Sequence, residues 1–188
     1  MILLVAGLVL FLGIHLVPVL PPLRASVAAR MSERSYKLAF SAISGIGLVL
    51  IVVGVALAPR NVPLFAPSSF AIVIAPPAMA IALTLLAAAN LKGHIRRFVR
   101  HPMLAGVILW SAVHLCANGD VASTVLFGAF LAWALVDLVS AIARRAVRAF
   151  EPRIPHDAIA VVAGSAAAFA IAILHRVLFG VRVVPFGL

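Results

Sequence analysis

Six long apolar stretches separated by short polar segments run the length of the chain, at about residues 1–20, 38–58, 70–90, 102–117, 121–143 and 158–179. A helix that crosses the hydrocarbon of a membrane needs about 20 mostly apolar residues. The pattern therefore predicts an all-α, polytopic integral membrane protein, a bundle of six transmembrane helices. The fourth stretch is short, so its helix tilts little or begins before Pro102. The first does not read as a signal peptide, because no Lys or Arg precedes its apolar run and that run is too long.

Composition agrees with the pattern. Of 188 residues, 65% are hydrophobic and 11% charged, with a mean hydropathy of +1.22. A soluble domain is about 45–50% apolar with about 25% charge. This chain has too few polar side chains to cover a globule in water. A single cysteine, Cys116, excludes an internal disulfide scaffold. The turns are short and no low-complexity tail appears, so residues 1–188 form one domain.

Lys and Arg number 15 against five acids, an excess that could serve a polyanionic partner. Position decides otherwise. Arg24, Arg30, Arg34 and Lys37 follow the first span; Lys92, Arg96, Arg97 and Arg100 follow the third. Arg144, Arg145, Arg148 and Arg153 follow the fifth, whereas Arg60, Arg176 and Arg182 stand at the other side. Positive residues accumulate in cytoplasmic loops. Both termini are thus expected outside, with three basic turns in the cytoplasm. The charge becomes an orientation signal and a contact for anionic membrane lipid, and no nucleic acid partner is expected.

Ionisable groups at membrane depth usually mark a site. His15 in the first span and His114 in the fourth are the best candidates. A histidine there can bond a neighbouring helix, carry a proton, or offer a nitrogen to a metal or haem iron. Two of them, with almost no intramembrane acids, favour a shared ligand role. At ~1.5 Å per residue their depths differ by ~9 Å. His101 precedes Pro102 at the cytoplasmic start of the fourth span and lies on nearly the opposite helix face from His114. It suits a contact at the membrane surface or a solvated turn. Trp110, four residues before His114, could pack on a ring ligand or fill the bundle.

The other polar positions read more plainly. Asp137 reads first as the partner of a cytoplasmic arginine, with a proton or substrate role as the alternative. His94 and His156 read as surface residues, and His175 as an interfacial anchor. Cys116 could be a ligand, a redox thiol or an inert buried side chain. Asn118-Gly119-Asp120 reads as a tight turn with Gly119 as helix C-cap. Small residues, Ser41 and Gly45 among them and the run 163–168, are expected to let helices approach closely. Gly-rich phosphate loops, HExxH and CxxCH motifs are absent.

Several segments together resemble the NnrU family. They are Leu10-Phe11-Leu12-Gly13-Ile14-His15, Arg100-His101-Pro102-Met103-Leu104-Ala105-Gly106, Trp110…His114…Asn118-Gly119, Phe130-Leu131-Ala132-Trp133…Asp137, and the ending Asp157-Ala158…Gly164…Leu174-His175-Arg176…Gly180-Val181. The likeness runs in order along essentially the whole chain. It implies a polytopic protein of the bacterial inner membrane that supports nitrite and nitric oxide metabolism in denitrification, with redox or denitrification proteins as partners. The 15-cis-zeta-carotene isomerases resemble this family and carry a b-type haem held by histidines. By that likeness His15 and His114 match the axial ligands and His101 a third histidine of the pattern, with a carotenoid as the alternative substrate. Those isomerases carry a cysteine three residues before the second ligand; here Ser111 stands there, so that alternative ligand is missing. Haem b between spans 1 and 4 would turn its anionic propionates to the basic edge, towards Arg96, Arg97 and Arg100, with Trp110 beside the ring. A small transporter or assembly scaffold without a cofactor is the third reading.

Overall fold

The computed structural model describes residues 1–59, 62–147, 149–180 and 183. Arg60, Arg148, Val181 and Arg182 lie outside the described residues. The chain is helical, as the apolar pattern requires: α1 (Ile2–Val19), α2 (Pro21–Ala28), α3 (Glu33–Leu57), α4 (Ser69–Ala88), α5 (His94–Val99), α6 (Pro102–Ala117), α7 (Val121–Ala143) and α8 (Ile154–Phe179). Among the described residues there is no strand, only one isolated bridge between Pro63 and Asp120. Five helices, α1, α3, α4, α7 and α8, are long and apolar enough to cross a membrane, which makes the chain an integral membrane protein. The 16-residue α6 is apolar but shorter, about 24 Å long.

The six apolar stretches coincide with α1, α3, α4, α6, α7 and α8 to within about five residues, five of them long enough to cross a membrane. The differences sit in the basic turns. Two of these contain short helices, α2 and α5, that hydropathy overlooks because they are polar and brief. Local chemistry starts and stops the elements. Pro21 begins α2 and Pro102 begins α6, where a missing N–H costs nothing. Ser32, Ser68 and Asp120 cap α3, α4 and α7 through backbone N–H groups of Ser35, Ala71 and Ser123. In the first basic turn Arg24 lies 3.3 Å and Lys37 3.4 Å from Glu33, with the Arg24 guanidinium over the Tyr36 ring.

The long helices pack as an open series, α3 on α1, α1 on α7, α7 on α6, α6 on α4 and α4 on α8. Their outward faces stay apolar and exposed, with Ile2 86% exposed and Phe70 72%, as surfaces meant for lipid. The buried cluster joins Leu4 and Leu8 of α1, Ile51 of α3 with its C-cap Ala58, and Ala122 of α7. Lipid supplies no hydrophobic drive for helix association, so close backbone approach must. It comes from Gly7, Gly47 and Gly54. A Cβ on Gly7 would lie 2.6 Å from the Ile51 nitrogen, one on Gly47 2.8 Å from that of Phe11, and one on Gly54 would strike Leu4.

The small pair expected to do this, Ser41 and Gly45, does not. Nothing lies within 4 Å of a Cβ on Gly45, and Ser41 is exposed. In the run 163–168, Gly164 alone is buried, against Thr84 of α4. Gly119 is not the left-handed cap expected of it. Asn118, in extended conformation, ends α6, and Gly119 leaves room for the crossing segment, its carbonyl accepting the N–H of Leu64 at 2.7 Å.

Candidate functional site

The two deep histidines are held identically by their own helices. His15 Nδ1 lies 2.6 Å from the Phe11 carbonyl and His114 Nδ1 lies 2.9 Å from the Trp110 carbonyl. A carbonyl can only accept, so each imidazole carries its proton on Nδ1 and keeps a lone pair on Nε2. Neither Nε2 has a hydrogen-bond partner among the described residues. A backbone carbonyl that fixes the tautomer and leaves the second nitrogen free is how proteins orient histidines that bind metals.

Aromatic rings frame both. His15 stacks on Phe11 (centroids 4.3 Å apart) and meets Phe40 of α3 at 4.9 Å and Trp133 of α7 at 5.8 Å edge-on. His114 meets Trp110 at 5.6 Å and Phe127 of α7 at 4.7 Å. Phe130 touches both Phe11 and Trp110, so an unbroken run of rings links the two imidazoles. Phe127, Phe130 and Trp133 recur at threes along one stripe of α7. That helix is the common wall: α1 and α6 both pack on it and hardly on each other. Phe127 and Trp133 are six positions apart, ~9 Å along the axis, the offset expected for the histidines from sequence.

Two buried polar atoms stand without partners. The Trp133 indole N–H and the Ser44 hydroxyl have no hydrogen bond among the described residues. Trp133 lies against the His15 ring, and Ser44 follows Phe40 by one turn of α3. A buried donor left unpaired costs about 1–3 kcal/mol, so an acceptor beside His15 would relieve it. The donor set suits a haem: two free imidazole nitrogens, a planar aromatic surround and a spare N–H. Ser111, fully buried, does not contribute, since its hydroxyl donates to the Val107 carbonyl at 2.6 Å.

At the basic end, Arg144 reaches Asp137 at 3.6 Å, the pairing expected from sequence. His101, which caps α6, and His15 both lie within electrostatic reach of the same carboxylate. Ser140 Oγ donates to the Val19 carbonyl at 2.7 Å, tying the ends of α7 and α1. Arg96 and Arg100 line a cavity of about 220 Å³ with Ala146, Val147 and Phe150, while Arg97 is exposed outside it. Arg100 has φ 63° and Arg145 φ 50°, left-handed values that L-residues adopt at a cost.

Sequence reasoning missed Phe11, Phe40, Phe127 and Phe130. The signal was present as an aromatic residue four before each deep histidine and a three-residue aromatic rhythm in α7. His94 and His156 are surface groups as expected, but both are built into backbone contacts described below. Cys116 is exposed. No group of three or more metal-ligating side chains exists among the described residues.

Comparison with curated proteins finds no match, and comparison with solved structures finds none either. The family comparison matches NnrU protein over residues 3–183, nearly the whole helical array. The chain belongs to the NnrU family.

Proposed function

We propose that this protein binds one b-type haem through His15 and His114 and supports nitrite and nitric oxide metabolism, the role the NnrU family implies. It does so as a six-span protein of the bacterial inner membrane, α6 being the sixth span, with both termini outside and the basic turns cytoplasmic. The carrying observation is the matched pair of imidazoles, each with Nδ1–H on a carbonyl four residues back and Nε2 free.

When bound, the haem supplies an iron able to change oxidation state and take a small ligand. The chain's own residues do the rest. Phe11 and Trp110 carbonyls hold the tautomers, and the α7 stripe of Phe127, Phe130 and Trp133 excludes water around both rings. The Trp133 N–H offers a donor beside His15. Arg96, Arg97 and Arg100 would supply positive charge for propionates at the basic edge, where His101 begins α6.

The test is the absorption spectrum, oxidised and reduced, of detergent-purified protein supplied with haem. A Soret band is expected in the wild type and in His175→Ala, and its loss in His15→Ala and in His114→Ala. A wild type without the band, or two histidine variants that keep it unchanged, would overturn the reading. Turnover of tri-cis zeta-carotene by the reduced, loaded protein would move the assignment to an isomerase.

A further inference from the structure

A second cleft lies at the basic end, lined by neither His15 nor His114. It is an open cleft of about 590 Å³, lined by Asn90, Lys92, Phe150, Glu151, Arg153 and His156. That volume lies in the ~300–1,000 Å³ range of small-molecule sites. Asn90 stands two residues beyond α4 and Arg153 caps α8, so the cleft opens at the polar margin of two apolar helices that pack together.

Its frame is stitched by backbone bonds. The Arg153 N–H donates to the Lys92 carbonyl at 2.8 Å, and the Lys92 N–H donates to His156 Nδ1 at 3.0 Å. The next residue, Asp157, accepts the N–H groups of His94 and Ile95. Because His156 Nδ1 is an acceptor, its ring carries the proton on Nε2 and presents a donor. Lys92 and Arg153 spend only main-chain atoms on the seam, which leaves the ammonium and guanidinium free. Among the described residues Lys92, Arg153 and Glu151 enter no ion pair, although they share one cleft.

Two unpaired cations, a ring N–H and an unpaired carboxylate lining one cleft complement a ligand carrying both charges. The site lies at the ends of α4 and α8, two helices long and apolar enough to cross a membrane, and Ile154, beside Arg153, is 74% exposed and apolar. We propose that this cleft binds a phospholipid whose headgroup joins a phosphate to a primary amine. Lys92, Arg153 and His156 take the phosphate through charge-assisted bonds, and Glu151 takes the ammonium. This site is independent of the haem.

The test uses the full-length protein, delipidated in detergent and exposed to mixed micelles of phosphatidylethanolamine or phosphatidylglycerol, with bound lipid counted by native mass spectrometry. Phosphatidylethanolamine is expected to bind about tenfold more tightly, the worth of one charge-assisted hydrogen bond. Glu151→Gln should abolish that preference while phosphatidylglycerol binding holds or rises. Lys92→Ala and Arg153→Ala should weaken both lipids with the thermal transition unchanged, since their seam bonds are main-chain. Equal binding of the two lipids, no retained lipid, or an unaltered preference in Glu151→Gln would overturn the proposal. Displacement by soluble glycerophosphoethanolamine at the same concentration would assign the cleft to a free metabolite and overturn the lipid assignment.

Discussion

Asp157 caps a helix 63 residues away: its carboxylate accepts the His94 N–H at 2.8 Å, beside the Ile95 N–H at 2.9 Å, and also bonds His94 Nδ1 at 2.9 Å. It stands ahead of the apolar stretch that begins at Ala158. α5 has only six residues and no cap of its own, so a side chain from the start of α8 completes it. The contact binds the α4–α6 connection to α8.

Those backbone N–H groups, Ile95 first and then His94, hold the Asp157 carboxyl below the usual carboxylate range. The ionised cap therefore stabilises the fold above the ordinary value of about 3.9. That contribution is lost as pH falls below it and through the lowered folded value. Thermal unfolding in detergent should show Asp157→Asn melting below wild type at pH 7, with the gap closing towards pH 3. A gap that stays constant with pH would remove the cap's ionisation from the account.

The glycines of α1 and α3 divide sharply by position. Gly54→Ala should destabilise by about 1–3 kcal/mol, as overpacking does, because its Cβ meets the Leu4 backbone. Gly45→Ala faces open space and should be neutral or stabilise by roughly 0.5–1 kcal/mol, the helix gain over glycine. Comparing the two unfolding transitions checks this; similar losses would contradict the α1–α3 contact.

Trp133→Phe should cost the ligand-free protein less than about 1 kcal/mol, since removing an unpaired buried N–H offsets lost ring volume. The same change should weaken haem retention severalfold in a titration followed at the Soret band. Undiminished retention would mean that the indole N–H does not face the bound group.

Arg144 and Asp137 form a partly shielded pair at the basic end of α7, and Arg144 also donates to Ser140 Oγ at 3.0 Å. Arg144→Ala alone leaves the carboxylate uncompensated and should cost about 1–2 kcal/mol, discounted for the exposure of the arginine. Asp137→Asn in that background should restore part of the loss. A double-mutant cycle with no coupling would dissolve the pair.

Cys116, the one cysteine of the chain, lies at the end of α6 opposite the basic turns. A membrane-impermeant maleimide should label it from the outer face of intact cells and not from the cytoplasmic face of inverted vesicles. The reverse result would invert the proposed orientation.

Hydropathy alone placed the long helices to within a few residues, because a membrane span must be apolar over its whole length. The charge arithmetic marked one end of the array, and the scarcity of polar side chains singled out His15 and His114. Other features needed the packed chain. Periodicity does not say which small residues touch, so it pointed to Ser41 and Gly45, whereas Gly54 emerged only once α1 and α3 lay together. Nor does it show that α7 stands between α1 and α6, bringing Phe127 to one histidine and Trp133 to the other. The Asp157–His94 cap and the Lys92–His156 bond join residues more than 60 positions apart. Suitability for an apolar membrane is a property that composition can announce stretch by stretch. Contacts between distant segments depend on helix order and crossing, and these exist only once the chain has packed.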